Sequence, residues 1–311
     1  MAKRFAAFII LPTVLIFITG CPPVKPEPVK SPKVEPPKVE TPKIEPPKVE
    51  PPKVETGAAV SFHDKCADIL ASFVSDRGMV DYKTLKRKRQ KLKQLLKEFA
   101  KLDPNEYNSW PREDKIAFWI NAYNIQMLKI IVDNYPIKST RIRRVFWPPT
   151  SIRHIRGIWN KYKFLVMDEE FTLAEIEQRF FRKEFGEPRV FFAISQASRS
   201  GPPLRNEPYY GRKLYEQLDE QAKKFLASPI AFRIDRKKQI VYLSAMLQST
   251  WYGKEFVRKY GTDKKFKDQQ PATRAVLNFI TNYISENDIS FLEVENYSVK
   301  YMTYDWRLNE Q

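Results

Sequence analysis

The sequence predicts an α+β domain carried behind an N-terminal leader and a proline-rich tether. Three observations carry that prediction. Helix-like and strand-like segments are mixed without the regular alternation that marks a parallel α/β sheet. Residues 112–134, REDKIAFWINAYNIQMLKIIVDN, have helical spacing but too many apolar and aromatic side chains for a surface helix, so they are expected inside. Only two cysteines occur, Cys21 and Cys66, so a core rather than a set of disulfides must hold the fold. The chain of 311 residues is long enough for one large core after its leader and tether are set aside.

The leader is MAKRFAAFIILPTVLIFITGC. Lys3 and Arg4 precede an apolar run from Phe5 to Ile18, the pattern of a secretory signal peptide. The run is short for a membrane span, which takes about 20 apolar residues. Ile18-Thr19-Gly20-Cys21 resembles a bacterial lipobox, which implies cleavage before Cys21 and a diacylglycerol on its sulfur; an uncleaved anchor is the other reading. Several acyl chains hold a protein durably where one does not. The expected location is the bacterial envelope, with a membrane as partner through the lipid anchor. Pro22 follows the cysteine in place of an Asp retention signal, which favours the outer membrane facing the periplasm.

Residues 1–20 thus read as signal peptide, 21–57 as lipidated cysteine and tether, and 58–311 as the folded domain. The tether repeats P-K-V-E-P with a period of five. Proline fixes φ and removes a donor, so neither helix nor sheet forms. As polyproline II the tether spans about 110 Å at full stretch. A spacer is the favoured reading; a ligand for an aromatic-lined groove is the other.

The formal net charge is +17. Of this, +2 lies in the leader and +1 in the tether, where seven Lys meet six Glu, which leaves +14 on the domain. The cations concentrate at KTLKRKRQKLKQLLK (83–97) and RIRRVFWPPTSIRHIR (141–156). A secreted lipoprotein does not meet the genome, so no nucleic-acid partner is expected. Anionic envelope components are the better match: lipid headgroups, lipopolysaccharide phosphates or acidic glycan. In the first stretch, Leu85, Leu92, Leu95, Leu96, Phe99 and Leu102 fall on one side, so a solvated helix face is the favoured reading of the opposite cations and a dedicated anion site the other.

Residues 60–75 have helical periodicity. KYKFLVM (161–167) reads as a strand. FTLAEIEQRFFRKEF opens with Thr172 and Glu175 at capping-box spacing. EPRVFFAIS reads as a buried strand running into the loop QASRSGPPL. GRKLYEQLDEQAKKFLA is an amphipathic helix, and AFRIDRKKQIVYLS a hairpin with its Arg-Lys-Lys turn outside. Residues 244–260 and 271–285 read as helices. ISFLEVENYSVKYMTYDW reads as two terminal strands.

Four motifs, AFWINAYNIQMLKIIVDNYPIKS, TLAEIEQRFFR, PRVFFAISQASRSGPPLRNEPYY and YDWRLN, together resemble the DUF547 family, from about residue 66 to the end. The resemblance implies a papain-like arrangement, a helical part packed on a mixed or antiparallel sheet, with Cys/His chemistry in typical members. This chain departs from the pattern. Where the family reads Ile-Glu-His, it has Ile176-Glu177-Gln178. Phe191 precedes Phe192 where a His is usual, and Gln196 and Gly201 stand where the family loop has its two cysteines. A thiolate nucleophile needs sulfur and an activating base, and a metal site needs its ligands. Gln, Phe and Gly supply neither, so no cofactor and no metal are expected.

The remaining candidates are His63, Cys66 and His154, with Ser198 and Ser200. His63 and Cys66 lie three apart on one helix and would be neighbours, but Cys66 shares the apolar side with Ile69 and Phe73, as an inert thiol does. His154, between arginines, reads as solvated or anion-contacting. Neither serine has an evident local base. Asn121 and Asn124 share a face of the aromatic helix. They either tie it to a neighbouring loop or line a cleft with Tyr123, Glu177, Gln196, Ser198 and Ser200. Glu177 and Arg182 are expected in a buried ionic network, Asp305 at a sheet edge and Trp306 in the core. The resulting expectation is a non-catalytic envelope lipoprotein that binds a partner protein, a cell-wall component or an anionic glycolipid. The alternatives are a papain-like hydrolase or transferase acting on amide bonds in the envelope, or a structural plug without a cleft.

Overall fold

The computed structural model describes residues 57–311. The segments read as signal peptide and tether, with Cys21 between them, lie up to Thr56 outside the described residues.

The first helices are α1 (Gly57–Phe73), α2 (Tyr82–Arg87), α3 (Arg89–Lys101) and α4 (Pro104–Ser109). They pack with α5 (Arg112–Asn134), which is buried over nearly its whole circumference. A helix apolar all round has no solvent face to offer, so it becomes the axis around which the others gather. Leu85, Leu92, Leu95, Phe99 and Leu102 are buried and Leu96 is half-buried, which leaves the cations of 83–97 on the outer side. Phe62, Phe99, Trp110 and Phe118 meet at ring separations of 5.2–5.8 Å and lock α1, α3 and α5 together.

A short turn, α6 (Arg141–Arg144), follows α5. The hairpin of β1 (Phe164–Val166) and β2 (Glu169–Phe171) comes next. Then α7 (Leu173–Ile176) begins with the expected capping box: Glu175 N donates to Thr172 Oγ1 at 3.2 Å, and Thr172 N donates to Glu175 Oε2 at 2.7 Å. From Glu177 to Phe185 the winding widens to a π-helix, closed by Gly186 in the left-handed region, whose N–H reaches back to Phe181 O. Phe180 of this turn stacks on Trp119 at 3.6 Å.

The buried segment 190–193 corrects the expectation of a strand. It is a helical turn, α8 (Val190–Ala193). A continuous apolar run does not distinguish a buried strand from a buried helix. Here the residues just before it turn the chain: the Glu187 carboxylate accepts from Arg189 N, and the carbonyls of Glu187 and Pro188 accept from Val190 N and Phe191 N.

The remaining elements are α9 (Leu214–Leu226), β3 (Phe232–Asp235), β4 (Ile240–Leu243), α10 (Ser249–Tyr260), α11 (Pro271–Ile280), α12 (Glu286–Glu293) and β5 (Ser298–Tyr301). β3 and β4 form the expected antiparallel hairpin with its basic turn exposed, and β5 adds to β4 in parallel. The class is α+β, and the three-stranded sheet is mixed. The expectation of two terminal strands is half corrected. ISFLE belongs to α12 because Ser285 caps that helix, its Oγ accepting from Asp288 N at 3.2 Å.

The chain past β5 forms no strand but a strap. Ile152 N donates to Trp306 O, Arg199 N to Arg307 O, Asn309 N to Ala197 O and Val80 N to Asn309 O, while Leu308 N donates to Thr150 O. Asp305–Gln311 thereby join three loops that are distant in sequence.

Candidate functional site

A pocket of about 300 Å3 opens where the strap meets the loop after α8. Ala174, Phe191, Phe192 and Met246 give it an apolar wall. Trp159 and Trp306 flank it, and its polar groups come from Arg153, Glu177 and Gln196.

Arg153 sits in a 3-10 turn, Ile152–His154, started by Ser151, whose Oγ accepts from Arg153 N at 3.1 Å. Its guanidinium lies 4.7 Å from the Trp147 ring, 5.0 Å from Trp306 and 5.8 Å from Trp159. Trp306 meets Trp147 and Trp159 edge-on at 6.2 and 6.1 Å. Three indoles thus frame one cation. Among the described residues no carboxylate pairs with it.

Glu177 is the first residue of the π-helical winding and is half-buried. The Tyr123 hydroxyl donates to its Oε1 at 2.7 Å. Burial pushes the Glu177 carboxyl above the usual range, against the opposing pull of the Tyr123 bond and the Arg182 charge. Gln196 Oε1 accepts from Trp159 Nε1 at 3.2 Å, and both side chains lie beside the same Tyr123 hydroxyl. Tyr123 is buried, and burial and Glu177 hold its phenol well above the ordinary value.

The two asparagines are backbone clamps. Asn121 Nδ2 donates to Tyr209 O and its Oδ1 accepts from Tyr209 N, both at 2.9 Å. Asn124 Nδ2 donates to Ala193 O at 3.0 Å, and Ser195 N donates to Asn124 Oδ1 at 2.7 Å. Asn124 thereby fixes the loop that forms the pocket, and Asn121 fixes the loop at Tyr209. That loop holds Ala197 at φ +49°, a strained value for a residue with a Cβ, between Gln196 and Ser198.

Ser198 and Ser200 serve the strap. Ser198 Oγ is 2.6 Å from the Tyr304 hydroxyl, and Ser198 lines a separate cavity of about 190 Å3. Ser200 Oγ accepts from Asp305 N at 2.9 Å. Neither hydroxyl bonds to an imidazole. Gly201 is close-packed here: a Cβ on it would lie 3.1 Å from Ser198 Oγ and 3.2 Å from the Tyr304 hydroxyl. The structure therefore brings Tyr123, Glu177 and Gln196 together and places Asn121, Asn124, Ser198 and Ser200 around them as support.

His63 is fully buried. Asn121 Nδ2 lies 3.3 Å from His63 Nδ1, which makes Nδ1 the acceptor, so the proton on Nε2 is donated to Asp114 Oδ1 at 3.3 Å. Gly211 N donates to the same oxygen at 3.1 Å, and a Cβ at 211 would collide with it at 2.3 Å. This network pins loop 209–211 to α1 and α5. Cys66 is fully buried too, and burial pushes its thiol up to about 12. His154 corrects an expectation. It is buried rather than solvated, because the 3-10 turn directs its ring inward, where Nε2 donates to Pro148 O at 2.9 Å. Trp306 is also corrected: it is half-buried at the pocket rather than in the core. Asp305 holds Arg307, which keeps its carboxyl below the usual range. Among the described residues no group of three or more His, Cys, Asp or Glu is placed to hold a metal ion, and no helix is long and apolar enough to cross a membrane.

Residues 107–226 match the model of a family described as a protein of unknown function, DUF547. The chain carries a DUF547 domain. The matched part of the DUF547 domain includes the clamping asparagines, Arg153, Trp159, Glu177 and the loop at Gln196; the YDWRLN strap lies beyond it. No curated protein and no solved structure matches the chain.

Sequence reasoning missed Arg153, Trp147 and Trp159. The available signal was the even interleaving in FWPPTSIRHIRGIW, with Trp147, Arg153 and Trp159 six residues apart.

Proposed function

We propose that the protein is an envelope lipoprotein whose DUF547 domain binds a small envelope ligand without covalent chemistry. Such a ligand carries an anionic group for Arg153 and a flat or apolar part for the indoles and phenyl rings. A cell-wall fragment or the head of an anionic glycolipid has that chemistry. The observation that supports this is the composition of the pocket: a tryptophan-framed cation, a carboxyl and an amide, with no hydroxyl or thiol nucleophile lining it among the described residues. Volumes of about 300 Å3 lie at the small end of ligand sites. The lipobox-like Ile18-Thr19-Gly20-Cys21 and the proline-rich segment support a lipid-anchored domain facing the periplasm.

Thiol- and serine-directed probes on the full chain test the non-catalytic part. The expected result is no site-specific labelling. Labelling of Ser198, Ser200 or Cys66 that disappears on heating overturns it. Crosslinking in cells from a photoreactive residue replacing Gln196 tests binding, with the adduct expected to vanish in Trp306→Ala. An adduct that persists in Trp306→Ala and Arg153→Ala rejects this pocket as the site. Incorporation of labelled palmitate, lost in Cys21→Ser, tests the anchor.

One observation favours a second reading, a hydrolase or transferase acting on envelope amides. Glu177 has a raised carboxyl inside the pocket, as general acids do. That reading requires turnover of peptidoglycan fragments that is lost in Glu177→Gln.

A further inference from the structure

Between Asp133 and Asp168 the chain has eight Lys and Arg and no carboxylate. At the tip of this stretch stands α6, and there the surface is apolar as well as basic. Ile142 is 77%, Val145 81% and Phe146 71% exposed. Among the described residues the other large exposed apolar side chains, such as Leu165 and Val294, are scattered along the chain. Single exposed apolar residues are ordinary; a cluster of three large ones marks a contact surface.

The projection is held in place rather than loose. Arg143 Nη1 donates to His154 O at 3.1 Å, Trp147 N donates to Arg143 O at 3.0 Å, and Arg144 Nε donates to Ser139 Oγ at 2.8 Å. The Trp147 ring lies against the Arg153 guanidinium. The apolar side chains are therefore presented outward from a fixed base. Lys138, Arg141 and Arg144 are exposed beside them, with no ion-pair partner among the described residues.

We propose that the Arg141–Trp147 projection docks on a bilayer that contains anionic phospholipid. Ile142, Val145 and Phe146 enter the boundary between headgroups and acyl chains, and Lys138, Arg141 and Arg144 pair with phosphates. Two features favour a bilayer over a protein partner. The three apolar side chains are each at least 71% exposed, which a fluid surface accepts without a matching groove. The charge around them is of one sign over a whole stretch, which suits a sheet of negative charge rather than point-by-point pairing. The inference is independent of the pocket's ligand.

The test uses the full lipidated chain in vesicles of phosphatidylcholine alone or mixed with phosphatidylglycerol. A fluorescent amino acid sensitive to polarity replaces Phe146, or Lys237 in the exposed β3–β4 turn as control. Ile142 is the second labelled position should the first variant fail to fold. On mixed vesicles the label at 146 shifts to the blue and is quenched by brominated acyl chains about fivefold more than the label at 237. Arg141→Glu with Arg144→Glu abolishes the difference. Equal behaviour at 146 and 237 overturns the proposal. So does equal quenching on neutral and mixed vesicles, and so does a shift that appears only when another protein is added.

Discussion

The Tyr123 hydroxyl donates to Glu177 Oε1 at 2.7 Å and so connects the buried axis of the fold to the one carboxyl in the pocket. Because burial raises the Glu177 carboxyl, the folded chain holds that proton more tightly than the unfolded chain. The associated stability is complete below the ordinary glutamate range and is lost as pH rises through the raised value. Melting temperature against pH should therefore fall across that window, and Glu177→Gln should flatten it. Tyr123→Phe removes a bond that favours the charged form, so the fall should move to higher pH. An unchanged profile in both variants would contradict this account.

Asn124 satisfies a carbonyl and an amide on either side of Ile194, and Asn121 satisfies both groups of Tyr209. Replacing either by Ala leaves two buried backbone groups unpaired, at a cost of about 3 kcal/mol. Chemical denaturation should show this for both variants. Hydrogen exchange at Ser195 N should accelerate in Asn124→Ala alone.

Glu187 is buried beside Arg189 and Lys259. Burial alone would raise its carboxyl, but hydrogen bonds from those two cations outweigh it and hold the value at about 2. Its contribution is present above the unfolded value of 4.5 and disappears as pH falls toward about 2. Glu187→Gln should cost about 3 kcal/mol at neutral pH and flatten the acid limb of the stability curve. An unaltered acid limb would show that the network does not set it.

Cys66 should resist thiol reagents at mildly alkaline pH in the native chain, since its thiol is buried and its pKa is raised to about 12. Complete reaction should follow denaturation. Rapid modification of native Cys66 would place it in an accessible site.

Much of the fold is legible in the residues because its signals are local. The aromatic excess of 112–134, the Thr172–Glu175 spacing and the Arg-Lys-Lys turn each fix an element within a few residues. Val190–Ala193 and Ile289–Glu293 were misread where apolar and β-branched content pointed to strands. In both places a side-chain oxygen, of Glu187 or Ser285, accepts a backbone N–H as a helical turn begins. Tyr123, Glu177 and Gln196 were legible through their motifs. The frame around Arg153 was not, because Trp306 comes to it from the far end of the domain and no spacing rule links them.

The strap of Asp305–Gln311 has a consequence for how the pocket comes into being. These residues emerge from the ribosome after every loop they join, and the backbone N–H groups of Ile152, Arg199 and Val80 donate to carbonyls within them. During folding the earlier helices can pack while the indole frame still lacks Trp306. Without Asp305–Gln311 the pocket would lack Trp306 and the bonds that join its loops, so one wall of it depends on residues far along the chain from all the others.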